Sequence, residues 1–133
     1  MKFMLMMHAP KGQGSGDWGA ATWPPKDLKA HIDFMIGLNK ELAAAGELVG
    51  AEGLDGPGAA KIVRAGKDGR PITDGVFPEA KEFLAGYWIV DVDRPERAYE
   101  IAARVSAAPG PGGAPINIAV EVRQVMSAPA VEM

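Results

Sequence analysis

Leu84-Ala85-Gly86-Tyr87-Trp88-Ile89-Val90-Asp91-Val92, running straight into Asp93-Arg94-Pro95-Glu96, is the stretch on which the fold turns. Its first part is rich in aromatic and β-branched residues and predicts a strand. Its second part carries the marks of a helix start: Asp93 as the cap, Glu96 completing an Asp-x-x-Glu box and Pro95 in the first turn. Ala98, Ile101, Ala102 and Val105 then give the helix one buried face. A strand that passes into a helix is half of a βαβ unit, and the rest of the chain supplies the other parts.

Upstream, the apolar run Lys2 to His8, bounded by Ala9-Pro10, predicts a central strand with both faces largely apolar. Ala9 to Pro25 is a long Gly-rich loop of the kind that forms lids; its Trp18 and Trp23 suit either stacking on a ligand or covering a dimer edge. Lys26 to Ala45 predicts a helix, because Leu28, Met35, Leu38, Leu42 and Ala45 fall on one stripe and Gly46 stops it. His31 lies on that stripe and is expected to point towards the core or a pocket. Glu47 to Leu54 and Ala59 to Ala65 read as strands, and Asp68-Gly69 marks a hairpin returning through Arg70 to Thr73. Downstream, Ile116 to Val125 alternates, with Ile116, Ile118, Val120 and Val122 facing one way and Asn117, Glu121 and Arg123 the other.

The order is β-α-β, a hairpin, then β-α-β: a ferredoxin-like α+β fold, βαββαβ with an inserted β-hairpin, in one domain over residues 1–126 with a tail from Ser127 to Met133. Two helices cover one face of such a sheet. The other face carries apolar residues with Glu121 and Arg123, so it needs a partner or a ligand, and a homodimer pairing sheet against sheet would satisfy it.

Composition removes several function classes. Hydrophobic residues make up 47% of the chain and charged residues 23%, which is globular rather than disordered. The net charge of −3 comes with alternating signs and no basic stripe, so no nucleic-acid partner is expected. No apolar run reaches the ~18–20 residues of a membrane span, and Met1 to Met7 is short and lacks a small-residue cleavage site, so a cytoplasmic location is expected. Cysteine is absent, which excludes disulfides, thiolate metal sites and thiol nucleophiles. His8 and His31 lie in different elements without a His-Glu-x-x-His pattern, and Gly12-x-Gly14-x-Gly16 lacks the Gly-Lys-Ser/Thr end of a phosphate loop. Neither a metal nor a cofactor is expected.

Several segments, taken together, resemble a known family. They are Met1 to Met7, Ala44-Ala45-Gly46-Glu47-Leu48-Val49 with Glu52-Gly53-Leu54, and Thr73-Asp74-Gly75-Val76-Phe77-Pro78-Glu79-Ala80-Lys81-Glu82, followed by Gly86-Tyr87 and Val120-Glu121-Val122-Arg123. In that order they resemble the YCII-related proteins of the DGPF branch, over Met1 to about Met126. Val76 stands where the branch's Asp-Gly-Pro-Phe turn has proline, which removes a preset φ. The resemblance implies a dimeric α+β barrel and a small-molecule pocket. The wider group is associated with a His/Asp active site whose histidine lies on the first helix, and His31 is offset from that position by about one turn. The branch largely lacks an assigned reaction. Its genes often neighbour extracytoplasmic-function sigma factors, which implies a functional link to such a factor.

The candidate catalytic residues are therefore Asp74, His31 and His8, and the candidate substrate-binding residues are Arg123, Lys81, Glu79 and Glu82. Asp74 suits either general acid/base work or capping of its own turn. Glu79 and Glu82 would share a face if Pro78 began a helical turn, with Lys81 holding an anion or forming a surface ion pair. Arg123 on a coverable sheet face needs a carboxylate, either Glu121 or a ligand. The expected function is proton transfer, lyase- or hydrolase-like, on a small anionic organic molecule; the alternative is a non-catalytic ligand-binding or regulatory module.

Overall fold

The computed structural model describes residues 1–10, 23–75 and 81–127. Strand β1 (Lys2–Pro10) is followed by helix α1 (Pro25–Ala44), β2 (Leu48–Gly53), the hairpin β3 (Ile62–Ala65) and β4 (Pro71–Asp74), β5 (Glu82–Asp91), helix α2 (Pro95–Ser106) and β6 (Ala119–Gln124). The main sheet has the order β2-β5-β1-β6, and its neighbours pair antiparallel. This is the ferredoxin-like arrangement, with β3 and β4 forming a separate two-stranded sheet as the insertion. No helix among the described residues is long and apolar enough to cross a membrane.

Alternation along β1 divides the molecule into two sides. Phe3, Leu5, Met7 and Ala9 are buried, whereas Met4, Met6 and His8 are only half-buried. The buried set packs with Trp88 and Val90 of β5, Leu38 and Leu42 of α1, and Ala98, Ile101, Ala102 and Val105 of α2. Leu5, Leu42 and Ile101 are completely enclosed, and truncating such a side chain to alanine costs about 2–5 kcal/mol.

Local signals set the helix limits. Pro25 opens α1, where a missing N–H is harmless, and Asp27 places a carboxylate in the first turn. At its end Gly46 takes φ +73°, so its N–H reaches the Ala43 carbonyl and the Glu47 N–H reaches that of Leu42. That pair of bonds is a Schellman motif, and it turns the chain into β2. Gly86 in β5 answers a different need. A Cβ there would lie 2.9 Å from the Glu52 carbonyl oxygen, so the close approach of β2 requires its absence.

Four expectations are corrected. Asp93 does not cap α2: the cap position is Arg94, without a side-chain cap bond, and Pro95 at the first position sets the start. Ala59 to Ala65 is not one strand, because a 3₁₀ turn occupies Pro57–Ala59 and pairing begins at Ile62. The returning hairpin strand begins at Pro71 rather than Arg70, since Arg70 closes the loop through its carbonyl to the Gly66 N–H and through its N–H to the Asp68 carboxylate. Finally, β6 starts at Ala119, because Asn117 adopts φ +54°. The predicted alternation survives, with Ile118 buried and Val120 and Val122 half-buried.

Helix α2 is tied to the α1–β2 junction by Arg97, whose Nε and Nη2 donate to the two Glu47 oxygens at 2.8 and 2.9 Å. The Arg97 guanidinium holds the Glu47 carboxyl below its ordinary value of 4.5. A carboxyl depressed in the folded state adds stability that is complete above the unfolded value and is lost as pH falls through the folded one. Glu47→Gln should therefore lower stability at neutral pH by about 1–2 kcal/mol. It should also flatten the pH dependence below 4.5 relative to wild type, as read from urea midpoints across that range.

Candidate functional site

The two histidines of the chain sit on opposite sides of the sheet. His31 belongs to α1, on the helix-covered side, and is only 8% exposed. Its Nδ1–H donates to the Pro109 carbonyl at 3.0 Å, and Trp23 packs against its ring edge-to-face with centroids 5.4 Å apart. A carbonyl can only accept, so Nδ1 carries the proton of this bond. Pro109 is held in turn by its bridge to Pro115, and the loop between them is anchored to α1 where the Gly112 N–H meets the Asp27 carboxylate at 3.2 Å.

Beside His31 a cavity of about 350 Å³ opens between α1 and the β2–β5 edge of the sheet. Helix α1 contributes His31, Met35 and Asn39, each four residues after the last, together with Ile32 and Ile36. Met7 and Trp88 lie on the sheet side of the lining. Ile32 and Ile36 are 47% and 48% exposed, so the helix presents uncovered aliphatic surface at the cavity mouth. Trp88 is buried, and its Nε1–H donates to Asn39 Oδ1 at 2.9 Å, which fixes both side chains.

His8 lies on the other face. Its Nε2–H donates to Glu121 Oε1 at 2.9 Å, and Arg123 Nε stands 3.6 Å from Glu121 Oε2. Cross-strand register explains the grouping: His8 pairs with Ala119, Glu121 with Met6 and Arg123 with Met4, so Glu121 is the diagonal neighbour of His8. The acceptor here is a carboxylate, so it is Nε2 of His8 that carries the proton of this bond. The cluster is solvent-facing: the side chains of His8, Glu121 and Arg123 are 31%, 45% and 72% exposed.

The remaining candidates are not gathered with either histidine. Asp74 is the last residue of β4, paired with Ile62 and exposed, and among the described residues its carboxylate forms no hydrogen bond or ion pair. Lys81 is exposed just before β5. Glu82 is the first residue of β5, opposite Pro10 on β1, so the helical spacing proposed for it and Glu79 does not apply. Glu79, Trp18 and the Val76-Phe77 half of the turn lie outside the described residues. No grouping of three or more His, Asp or Glu side chains among the described residues is placed to hold a metal.

The sequence matches the YCII-related domain over residues 1–114. The chain belongs to the YCII-related family. Strand β6 lies beyond the matched stretch of this YCII-related protein yet pairs along β1 from Phe3 to His8, so it is part of the same sheet. No curated protein matches the chain.

Sequence reasoning missed two members of the His31 surroundings. Asn39 had a signal, since it repeats the four-residue step of His31 and Met35. The Pro109 carbonyl had none, being a backbone atom 78 residues away. If Asn39 is what satisfies the buried indole, Asn39→Ala should cost about 1–3 kcal/mol. Trp88→Phe should cost less in that background than in wild type, which a double-mutant cycle by thermal unfolding would measure.

Proposed function

We propose that this YCII-related protein binds a small organic molecule in the cavity beneath α1 and moves a proton on it through His31. The observation that carries the reading is a buried imidazole, its ring held by the Pro109 carbonyl, in the lining of a cavity of about 350 Å³. An imidazole held in one orientation beside a cavity suits proton-transfer work. An elimination-type step is the chemistry that fits a proton-accepting group of this kind. The sequence from Thr73 to Glu82 supports placement in the DGPF branch.

The second part of the proposal is a homodimer joined through the face opposite the helices. Met4, Met6, Tyr87 and Ile89 are half-buried there, and the register places Met6 opposite Tyr87 and Met4 opposite Ile89. Arg123 already stands beside the Glu121 carboxylate and His8 donates a hydrogen bond to it, so a second copy can cover this apolar stripe without isolating a carboxylate. His8 and Arg123 then act at the interface, and an anionic ligand enclosed between the copies would meet Arg123. Met6→Glu should leave a monomer at concentrations where wild type sediments as a dimer; an unchanged mass would remove this part.

A second reading is a ligand-binding module without catalysis. It is favoured by the exposed position of Asp74, which meets neither histidine among the described residues. One experiment separates the two. Small organic acids and aromatics are screened by thermal shift, and hits are kept only if Ile36→Trp, which fills the cavity mouth, abolishes them. Each hit is then followed by NMR in D₂O. Catalysis predicts deuterium incorporation that His31→Gln removes while binding persists. Binding without exchange above background establishes the module, and a screen without cavity-dependent hits overturns the site.

A further inference from the structure

The hairpin β3–β4 is a two-stranded sheet of its own, and neither of its outer edges pairs with another strand among the described residues. Ladder bonds of an antiparallel pair fall on every second residue pair. The Gly66 N–H reaches the Arg70 carbonyl at 2.7 Å, and this sets the phase, so the ladder bonds fall at Arg64–Ile72 and Ile62–Asp74. The N–H and C=O groups of Val63 and Ala65 therefore point outward from β3, and the matching groups of Pro71 and Thr73 point outward from β4. Pro71 has no N–H, so the β4 edge lacks a donor. The β3 edge keeps its donors and acceptors, next to a Val63 side chain that is 59% exposed. An edge of this kind is a template for a further strand.

Charge decides what that strand carries. Lys61 to Asp74 holds four cations and two carboxylates, in a chain whose net charge is −3. Asp68 is taken up by Arg70, with its Oδ2 at 3.3 Å from the arginine Nε. Lys61, Arg64 and Lys67 lie along β3 and its turn, all of them exposed, and among the described residues none forms an ion pair, with Asp74 or any other carboxylate. Two β3 edges from separate copies would gather these cations along one seam, which disfavours self-pairing. A segment bearing carboxylates would meet them with the opposite sign. We infer that the β3 edge binds an acidic, extended peptide segment of a partner protein by strand addition. Its carboxylates lie towards Lys61, Arg64 and Lys67, and its apolar residues lie opposite Val63 and Ala65.

The probe is the dye-labelled peptide Glu-Ser-Val-Glu-Val-Thr-Glu, titrated into the full-length protein and followed by fluorescence anisotropy and by amide hydrogen exchange. The expected result is saturable binding that slows exchange at the Val63 and Ala65 amides and leaves Thr73, on the other edge, unchanged. Replacing the three glutamates with lysine, or N-methylating the two valines, should weaken binding at least about tenfold. Val63→Pro removes an outward N–H without taking away a ladder bond, and it should weaken binding by a similar factor, as should Arg64→Glu. If the lysine peptide binds as tightly as the glutamate peptide, the acidic partner is overturned. If the N-methylated peptide binds equally well, strand addition is overturned, whatever Val63→Pro does to the hairpin. A glutamate peptide that does not bind overturns the proposal. So does protection of the Val63 and Ala65 amides that rises with protein concentration in the absence of peptide, since the edge then belongs to a second copy. The cavity beside His31 is unaffected by any of these outcomes, because the hairpin is a separate sheet.

Discussion

Everything in this molecule depends on the two-sided pairing of β1. Held between β5 and β6, the strand sends Phe3, Leu5, Met7 and Ala9 into the core beneath the helices and Met4, Met6 and His8 to the opposite face. A shift of one residue would exchange those sets and bury the imidazole of His8 in place of Met7. The large apolar area enclosed by the first set makes the register stringent, and that register in turn decides which side chains meet on the open face. Glu121 reaches His8 because Met6 stands opposite Glu121.

The two histidines show how differently one side chain is used by its surroundings. His31 is held from Nδ1 by a backbone carbonyl and flanked by Trp23, in a buried setting next to a cavity. His8 is held from Nε2 by a carboxylate in a solvent-facing cluster. The first arrangement fixes the orientation of an imidazole at the edge of a largely apolar space. The second holds an imidazole beside a carboxylate on the face opposite the helices. In the function proposed above, chemistry and association would draw on opposite faces of the same sheet, with β1 contributing Met7 to one and His8 to the other.

Much of the architecture was legible because it follows from local periodicity. The inward position of His31 came from its place on the Leu38–Leu42 stripe, and the inserted hairpin came from Asp68-Gly69, where Gly69 adopts φ +82°. Element ends were less legible. Asp93 looked like a cap, but Pro95 starts the helix without help from a side chain. Glu82 looked like part of a turn, but pairing with Pro10 draws it into β5, since a strand lengthens for as long as its neighbour offers partners. The candidate site was legible only in pieces: Asp74, singled out for its turn, stands exposed at the end of a separate hairpin.

By itself the sequence determined the order of elements, the faces that are buried and the family, because periods of 2 and 3.6 and turn residues act over a few neighbours. Only the tertiary structure decided what each histidine meets. The Pro109 carbonyl is 78 residues from His31, and Glu121 is 113 residues from His8. Contacts at that separation are set by strand order and register, which arise from the packing of the whole core. For the same reason the cavity beside His31 became visible only once α1 lay against the edge of the sheet.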